Sequence, residues 1–182
     1  MSITNKLIEI GEIIEQDRQI YSYGIEVGLA MIFNIITTVV IGYAFGMLAE
    51  SILFLIALIP LRSYTGGFHA SAHLKCYLLS AAVLIGALLA VKYEAITIFK
   101  ASIGGLIILF LSPVQDANKP LDELEKKVYG KKARIIACVE FAVASVLYLL
   151  GLRAFGDTIF CVLFIVGVSV IWGYVKNEMR AG

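Results

Sequence analysis

The run Thr158-Ile-Phe-Cys-Val-Leu-Phe-Ile-Val-Gly-Val-Ser-Val-Ile-Trp-Gly-Tyr-Val175 contains no charged side chain. A helix needs about 17–25 apolar residues to cross the hydrocarbon core of a bilayer, and this stretch meets that length alone. Five further apolar runs precede it, at roughly 24–45, 47–61, 76–91, 96–112 and 135–152. Pro60 and Arg62 interrupt the second, and Lys100 shortens the apolar part of the fourth. Backbone polar groups must be satisfied internally within lipid, and no period-two alternation points to a barrel. The expected fold is therefore an all-α integral membrane protein with six transmembrane helices in one polytopic domain over residues 1–182.

Composition points the same way. Of the 182 residues 60% are hydrophobic and 16% charged, where a soluble domain is nearer half apolar and a quarter charged. The net charge of +1, with no basic cluster interleaved with aromatics, gives no reason to expect a nucleic-acid partner. Three scattered cysteines form neither a disulfide framework nor a metal-spaced set, so no cofactor or metal is expected. The opening residues carry Glu9, Glu12, Glu15 and Asp17, which does not fit a cleavable signal peptide.

Charge sets the expected orientation. Lys6, Arg18, Arg62, Lys75, Lys119, Lys126, Lys127, Lys131, Lys132, Arg134, Lys176 and Arg180 fall on one side of the predicted spans, against Lys92, Lys100 and Arg153 on the other. The positive-inside rule then puts both termini and the segments 62–75 and 113–134 in the cytoplasm of a multi-pass cell-membrane protein.

The amino-terminal segment 1–21 reads as an amphipathic helix, with Ile3, Leu7, Ile10 and Ile14 on one stripe opposite three glutamates. Its acidic polar face fits packing on protein better than on lipid headgroups. Within 113–134 a short helix is expected, with Pro120 at its first position, Asp122 and Glu123 in its first turn and Gly130 as its C-cap. Lys126, Lys127, Lys131 and Lys132 make this loop either a solvated connector or a docking surface for a peptide. The spacings Gly24–Gly28 and Gly42–Gly46 permit close helix approach and hint at oligomerisation. Asn34, Lys100 and Glu140 read as structural polar contacts, with Glu140 near enough to the membrane edge to snorkel.

Chemistry concentrates in the segment Arg62-Ser-Tyr-Thr-Gly-Gly-Phe-His-Ala-Ser-Ala-His-Leu-Lys-Cys76, which holds both histidines of the protein. A thiol needs a base or positive charge nearby to act as a nucleophile at neutral pH. Cys138 and Cys161 lie in apolar runs and read as buried small hydrophobes. On a continuous helix His69 and Cys76 would stand about 10 Å apart, so His69 must precede the helix to reach the thiol. His73 is the nearer neighbour on a regular helix, and spacing leaves both open. Two histidines and one cysteine lack a fourth metal ligand, and neither HExxH nor GxSxG occurs.

The element Arg62…Gly66-Gly67-Phe68-His69-Ala70…Cys76 resembles the signature of the accessory gene regulator B (AgrB-like) family of membrane cysteine endopeptidases. Pro113…Asn118-Lys119-Pro120 is similar to that family's second shared segment, and length and six-span layout agree. The resemblance implies Cys76 as nucleophile and His69 as its partner, with Arg62, Gly66 and Gly67 shaping the site and the third catalytic residue unnamed. It also implies a small AgrD-like precursor peptide as substrate, a homodimer, and a Gram-positive cell membrane. The expected activity is thiol-protease cleavage of a quorum-sensing propeptide, with cyclisation to an autoinducing peptide through an acyl-enzyme thioester. A small transporter or exporter of a peptide, without proteolysis, is the alternative; no internal repeat between the halves supports it.

Overall fold

The computed structural model describes residues 17–66, 73–115 and 121–181. Within them lie six helices: α1 (Arg18–Ala44), α2 (Leu48–Thr65), α3 (His73–Lys92), α4 (Ile98–Leu111), α5 (Glu123–Leu149) and α6 (Arg153–Ala181). Among the described residues there is no strand, only one isolated bridge between Gly66 and Val114. Each expected apolar run has its helix. The amphipathic stripe expected before residue 17 lies outside the described residues, while 18–21 form the first turn of α1.

The uncharged run 158–175 is the centre of the bundle. In α6 every residue from Gly156 to Leu163 is buried, and the helix packs on α2, α3, α4 and α5. A helix that is apolar all round belongs inside a larger assembly of helices or lipid. Its closest neighbour is α4, which approaches backbone to backbone. A Cβ on Gly104 would meet the Leu163 carbonyl and the Phe164 Cα, and one on Gly167 would meet Gly104 itself. Small residues at such a crossing let two helices gain contact without a hydrophobic force between them.

The outer surface of the bundle is apolar as well, with Phe33, Val40, Ile56, Phe99, Phe110 and Val139 all exposed. Water would penalise a surface of this kind, whereas lipid tails do not. Among the described residues two helices, Leu48–Thr65 and Arg153–Met179, are long and apolar enough to cross a membrane; Gly28–Ala44, Tyr77–Lys92 and Ile98–Leu111 are shorter apolar stretches.

Several local expectations give way to packing. Pro60 does not end α2, which continues to Thr65. Proline removes one intrahelical bond but cannot stop a helix whose Phe54, Ala57, Leu61 and Thr65 are all buried against neighbours. Gly130 is no C-cap either, and the expected short loop helix and the fifth span are one continuous α5. Gly130 is buried because the Ser112–Pro113 segment lies on it; a Cβ there would stand 3.1 Å from Pro113 Cδ. The start of α5 is a capping box, in which the Asp122 carboxylate accepts from the Glu125 amide at 2.6 Å and Glu125 accepts in return from Asp122. Lys126 therefore pairs with Glu123, at 2.7 Å, and not with the capping Asp122.

Glu140 does not snorkel: it is buried in the α5 seam with Gly130, Ala133, Ala137 and Ala144. Cys138 faces the other way and is exposed, which corrects its reading as buried; Cys161 is buried in α6. Of the paired glycines, Gly42 and Gly46 build the α1–α2 corner within this chain. A Cβ at Gly42 would run into Ser51, and Gly46 turns the chain at φ +68°.

Candidate active site

The site is framed by the end of α2. Leu61 and Thr65 are fully buried in the core, which turns Arg62 and Tyr64 toward neighbouring elements. Thr65 is the last helical residue, and Gly66 leaves the helix with φ +68° and ψ −143°. That backbone state is open to glycine at little cost and to other residues hardly at all. A second constraint falls on the same atom, because a Cβ at Gly66 would collide with the Val114 carbonyl.

The chain after α4 closes on this turn. The Val114 amide donates to the Thr65 carbonyl at 2.9 Å, and Gly66 and Val114 form an isolated parallel bridge. Thr65 would otherwise be an orphan carbonyl at a helix C-terminus, so the contact satisfies the end of α2. Asn177 of α6 holds the same segment by donating to the Gln115 carbonyl at 2.7 Å. Gly130 of α5 seats it from a third side.

Arg62 ties the turn to the central helix. Its Nη1 donates to the Gly66 carbonyl and to Ser169 Oγ of α6, both at 2.6 Å. A guanidinium can hold two acceptors at fixed angles, which a lysine ammonium on a flexible stem does less well. On the other side of α2, Tyr64 meets Tyr129 edge to face, with ring centroids 5.6 Å apart. Lys132 Nζ stands 4.8 Å from the Tyr64 ring centroid, a cation–π distance. Four elements thus converge where α2 ends and the segment toward His69 begins.

Cys76 belongs by its backbone to the first turn of α3. The positive end of a helix favours a thiolate there. Tyr77, the next residue, shares a 2.6 Å hydroxyl–hydroxyl hydrogen bond with Thr37, which anchors this end of α3 to α1. Gly67 and His69 lie outside the described residues, as does the Cys76 side chain.

The structure brings Arg62 and Gly66 into direct contact. All four lysines lie on the first turns of α5: Lys126 is paired with Glu123, Lys132 lies over Tyr64, and Lys127 and Lys131 are exposed. Sequence reasoning missed Val114, Ser169 and Asn177. The signal for Val114 was available, since it follows the Pro113 that opens the second shared segment; Ser169 and Asn177 give no local sign of their partners.

The two signature segments, distant in the chain, are thus hydrogen-bonded neighbours. A family model described as accessory gene regulator B matches residues 1–177. The chain belongs to the AgrB family. Two relatives from Clostridium perfringens, each described as AgrB-like, match it over 129 residues: one from strain 13 (type A) at 27% identity and one from strain SM101 (type A) at 29%. Each match covers 65% of this chain and 60% of the relative, so the chain spans less than two thirds of their length. No solved structure matches this AgrB-family chain.

Proposed function

We propose that this AgrB-family protein is a six-span membrane cysteine endopeptidase that cleaves a small AgrD-like precursor and promotes its cyclisation. Both termini and the turn at Gly66 face the cytoplasm in this reading, and the protein acts as a homodimer in the cell membrane.

The observation that carries the reading is the junction of Thr65–Gly66 with Val114. A hydrolytic thiol needs its base held at hydrogen-bond reach, and a loop can do that only from a rigid support. The junction, braced by Arg62, fixes the point from which the chain departs toward His69 and returns into α3 at Cys76.

In the proposed reaction the Cys76 thiolate attacks a peptide carbonyl of the precursor. The C–N bond breaks, His69 gives its proton to the leaving amine, and the N-terminal part remains as a thioester on Cys76. A cysteine or serine of the bound peptide, giving its proton to His69, then displaces Cys76, yielding a thiolactone or lactone and the free Cys76 thiolate. Exchange of one thioester for another needs no external energy source, provided water is excluded. Lys127 and Lys131 offer charge for docking the precursor at the membrane face.

The test is incubation of the protein in nanodiscs with a candidate precursor, followed by mass spectrometry. An acyl adduct on Cys76 that vanishes in Cys76→Ala is the expected result. Intact precursor carried across a sealed membrane by both proteins would instead favour the peptide exporter.

A further inference from the structure

A groove of about 350 Å³ lies between α4 and α5, away from the junction described above. Its walls are Ser102, Gly105, Leu106 and Leu109 of α4 against Ala137, Cys138, Phe141 and Ala142 of α5. The lining is almost wholly apolar, since the Ser102 hydroxyl is turned back onto the Ile98 carbonyl at 2.8 Å. From Leu109 to Ser102 the groove follows α4 for about 10 Å.

A guanidinium stands at its mouth. Arg134, on α5 one turn before Ala137 and Cys138, donates from Nε to the Leu109 carbonyl at 3.0 Å. That bond fixes the side chain against the end of α4 and leaves both terminal nitrogens, which have no hydrogen-bond partner among the described residues. Lys131 and Lys127 continue the charge along the same exposed face of α5. Leu124, Val128 and Ile135 are exposed on that face too, at 70%, 40% and 53%. Cations therefore alternate with apolar side chains before the face becomes purely apolar at Cys138 and Val139. Two of the three acidic residues of α5, Glu123 and Glu125, are spent in the capping box and the Lys126 pair at the far end, and the third, Glu140, is buried in the α5 seam.

We propose that this groove is a binding site for an anionic phospholipid, with its phosphate on Arg134 and Lys131 and one acyl chain along the groove. The site is an arginine fork at the edge of the apolar belt with a hydrocarbon slot directly beneath it. Guanidinium–phosphate pairs form two parallel hydrogen bonds, which selects an anion over a zwitterion whose own ammonium competes. The slot offers no free donors or acceptors, so an extended peptide would leave its backbone unpaired there. A helix, about 10 Å across, would lie over such a slot and not in it. An acyl chain has neither difficulty. The volume falls within the usual range of about 300–1,000 Å³ for small-molecule sites.

This inference rests on the membrane reading above but not on the cysteine chemistry, so its test uses no precursor. A chain that fails to enter nanodiscs would refute the membrane reading itself and this inference with it; failed cleavage would leave lipid retention unaffected.

The experiment reconstitutes the full chain with equal amounts of phosphatidylglycerol and phosphatidylcholine of identical acyl chains, then releases it for native mass spectrometry. Wild type should retain phosphatidylglycerol at least fivefold over phosphatidylcholine, with one lipid per chain surviving release. Arg134→Gln should bring the ratio near one, and Lys131→Gln should lower it partially. Gly105→Leu should lose both lipids, because a Cβ at Gly105 meets nothing within 4 Å and a leucine can fill the slot without moving the protein. Its unchanged thermal transition distinguishes slot filling from misfolding.

Equal retention of both lipids by wild type, or undiminished retention by Gly105→Leu, would overturn the proposal. So would displacement of the lipid by soluble glycerol phosphate, which would reduce the site to a headgroup contact. Release by an added acidic amphipathic peptide would assign the groove to peptide and overturn it equally.

Discussion

The Val114 amide donates to the Thr65 carbonyl at 2.9 Å and makes the two signature segments of this AgrB-family chain a single unit. The turn that follows α2 is thereby held by a strand-like contact from the end of α4. Two features protect it: Gly66 has φ +68°, and its missing Cβ leaves room for the Val114 carbonyl.

Gly66→Ala should therefore damage the site twice over. The left-handed backbone costs a non-glycine residue about 1–3 kcal/mol, and the collision with Val114 adds to it. We expect acyl-enzyme formation to fall by at least tenfold while the protein still enters the membrane. Gly46 also has positive φ but open space around its Cβ direction. Gly46→Ala should then cost some stability and leave the acylation rate nearly unchanged, read by thermal unfolding and intact-protein mass spectrometry.

Arg62 is a test of geometry against charge. Arg62→Lys keeps the cation but replaces the rigid guanidinium, whose Nη1 donates to both the Gly66 carbonyl and Ser169, by an ammonium on a flexible stem. Hydrogen bonds to charged groups contribute about 1.5–3 kcal/mol, so a loss on the order of tenfold to a hundredfold in cleavage rate is expected for Arg62→Lys. Ser169→Ala removes one of the two acceptors and should give the smaller loss. Equal wild-type rates in both variants would show that the brace is irrelevant to the reaction.

The sequence made some of this legible and not the rest, for physical reasons. Six helices follow from apolar run length, because lipid demands that every backbone group be satisfied inside its own segment. Pro60 and Gly130 misled because both are local stop signals overridden by packing: α2 is held through Pro60 by Leu61 and Thr65, and Gly130 is needed small for Pro113. The contact between Thr65 and Val114 leaves no periodic trace, since a single hydrogen bond between remote loops has no pattern to repeat. Cys138 looked buried for a related reason. Apolar surroundings mean interior in water, but in a membrane protein they mark the lipid-facing side equally well.

The α4–α6 crossing should be the least forgiving place for added volume. Gly104→Leu would drive a side chain into the Leu163 carbonyl and force the two helix backbones apart. Overpacking of this sort costs about 1–3 kcal/mol, and a clash against backbone falls at or above the upper end. Thermal unfolding in detergent should show a clear drop for Gly104→Leu and little change for Gly105→Ala, whose Cβ points into open space. Comparable transitions for the two variants would mean that α4 and α6 do not meet backbone to backbone.

The three cysteines separate by position, and alkylation can read the separation directly. Cys161 is buried in the all-round core of α6, and Cys138 faces outward between α4 and α5. Cys76 belongs by its backbone to the first turn of α3, and in the proposed reaction it is the nucleophile. A water-soluble alkylating reagent reacts with thiolate in water, so it should modify Cys76 first. A membrane-permeant neutral reagent should add Cys138 and spare Cys161 in the folded protein. Cys138→Ala and Cys161→Ala should then leave precursor cleavage within about twofold of wild type, because neither residue borders the Gly66–Val114 junction. Cys76→Ala should abolish it while leaving the thermal transition in place. If Cys138→Ala proved the inactive variant, the nucleophile would lie on the α4–α5 face and the proposed reaction centre would be wrong.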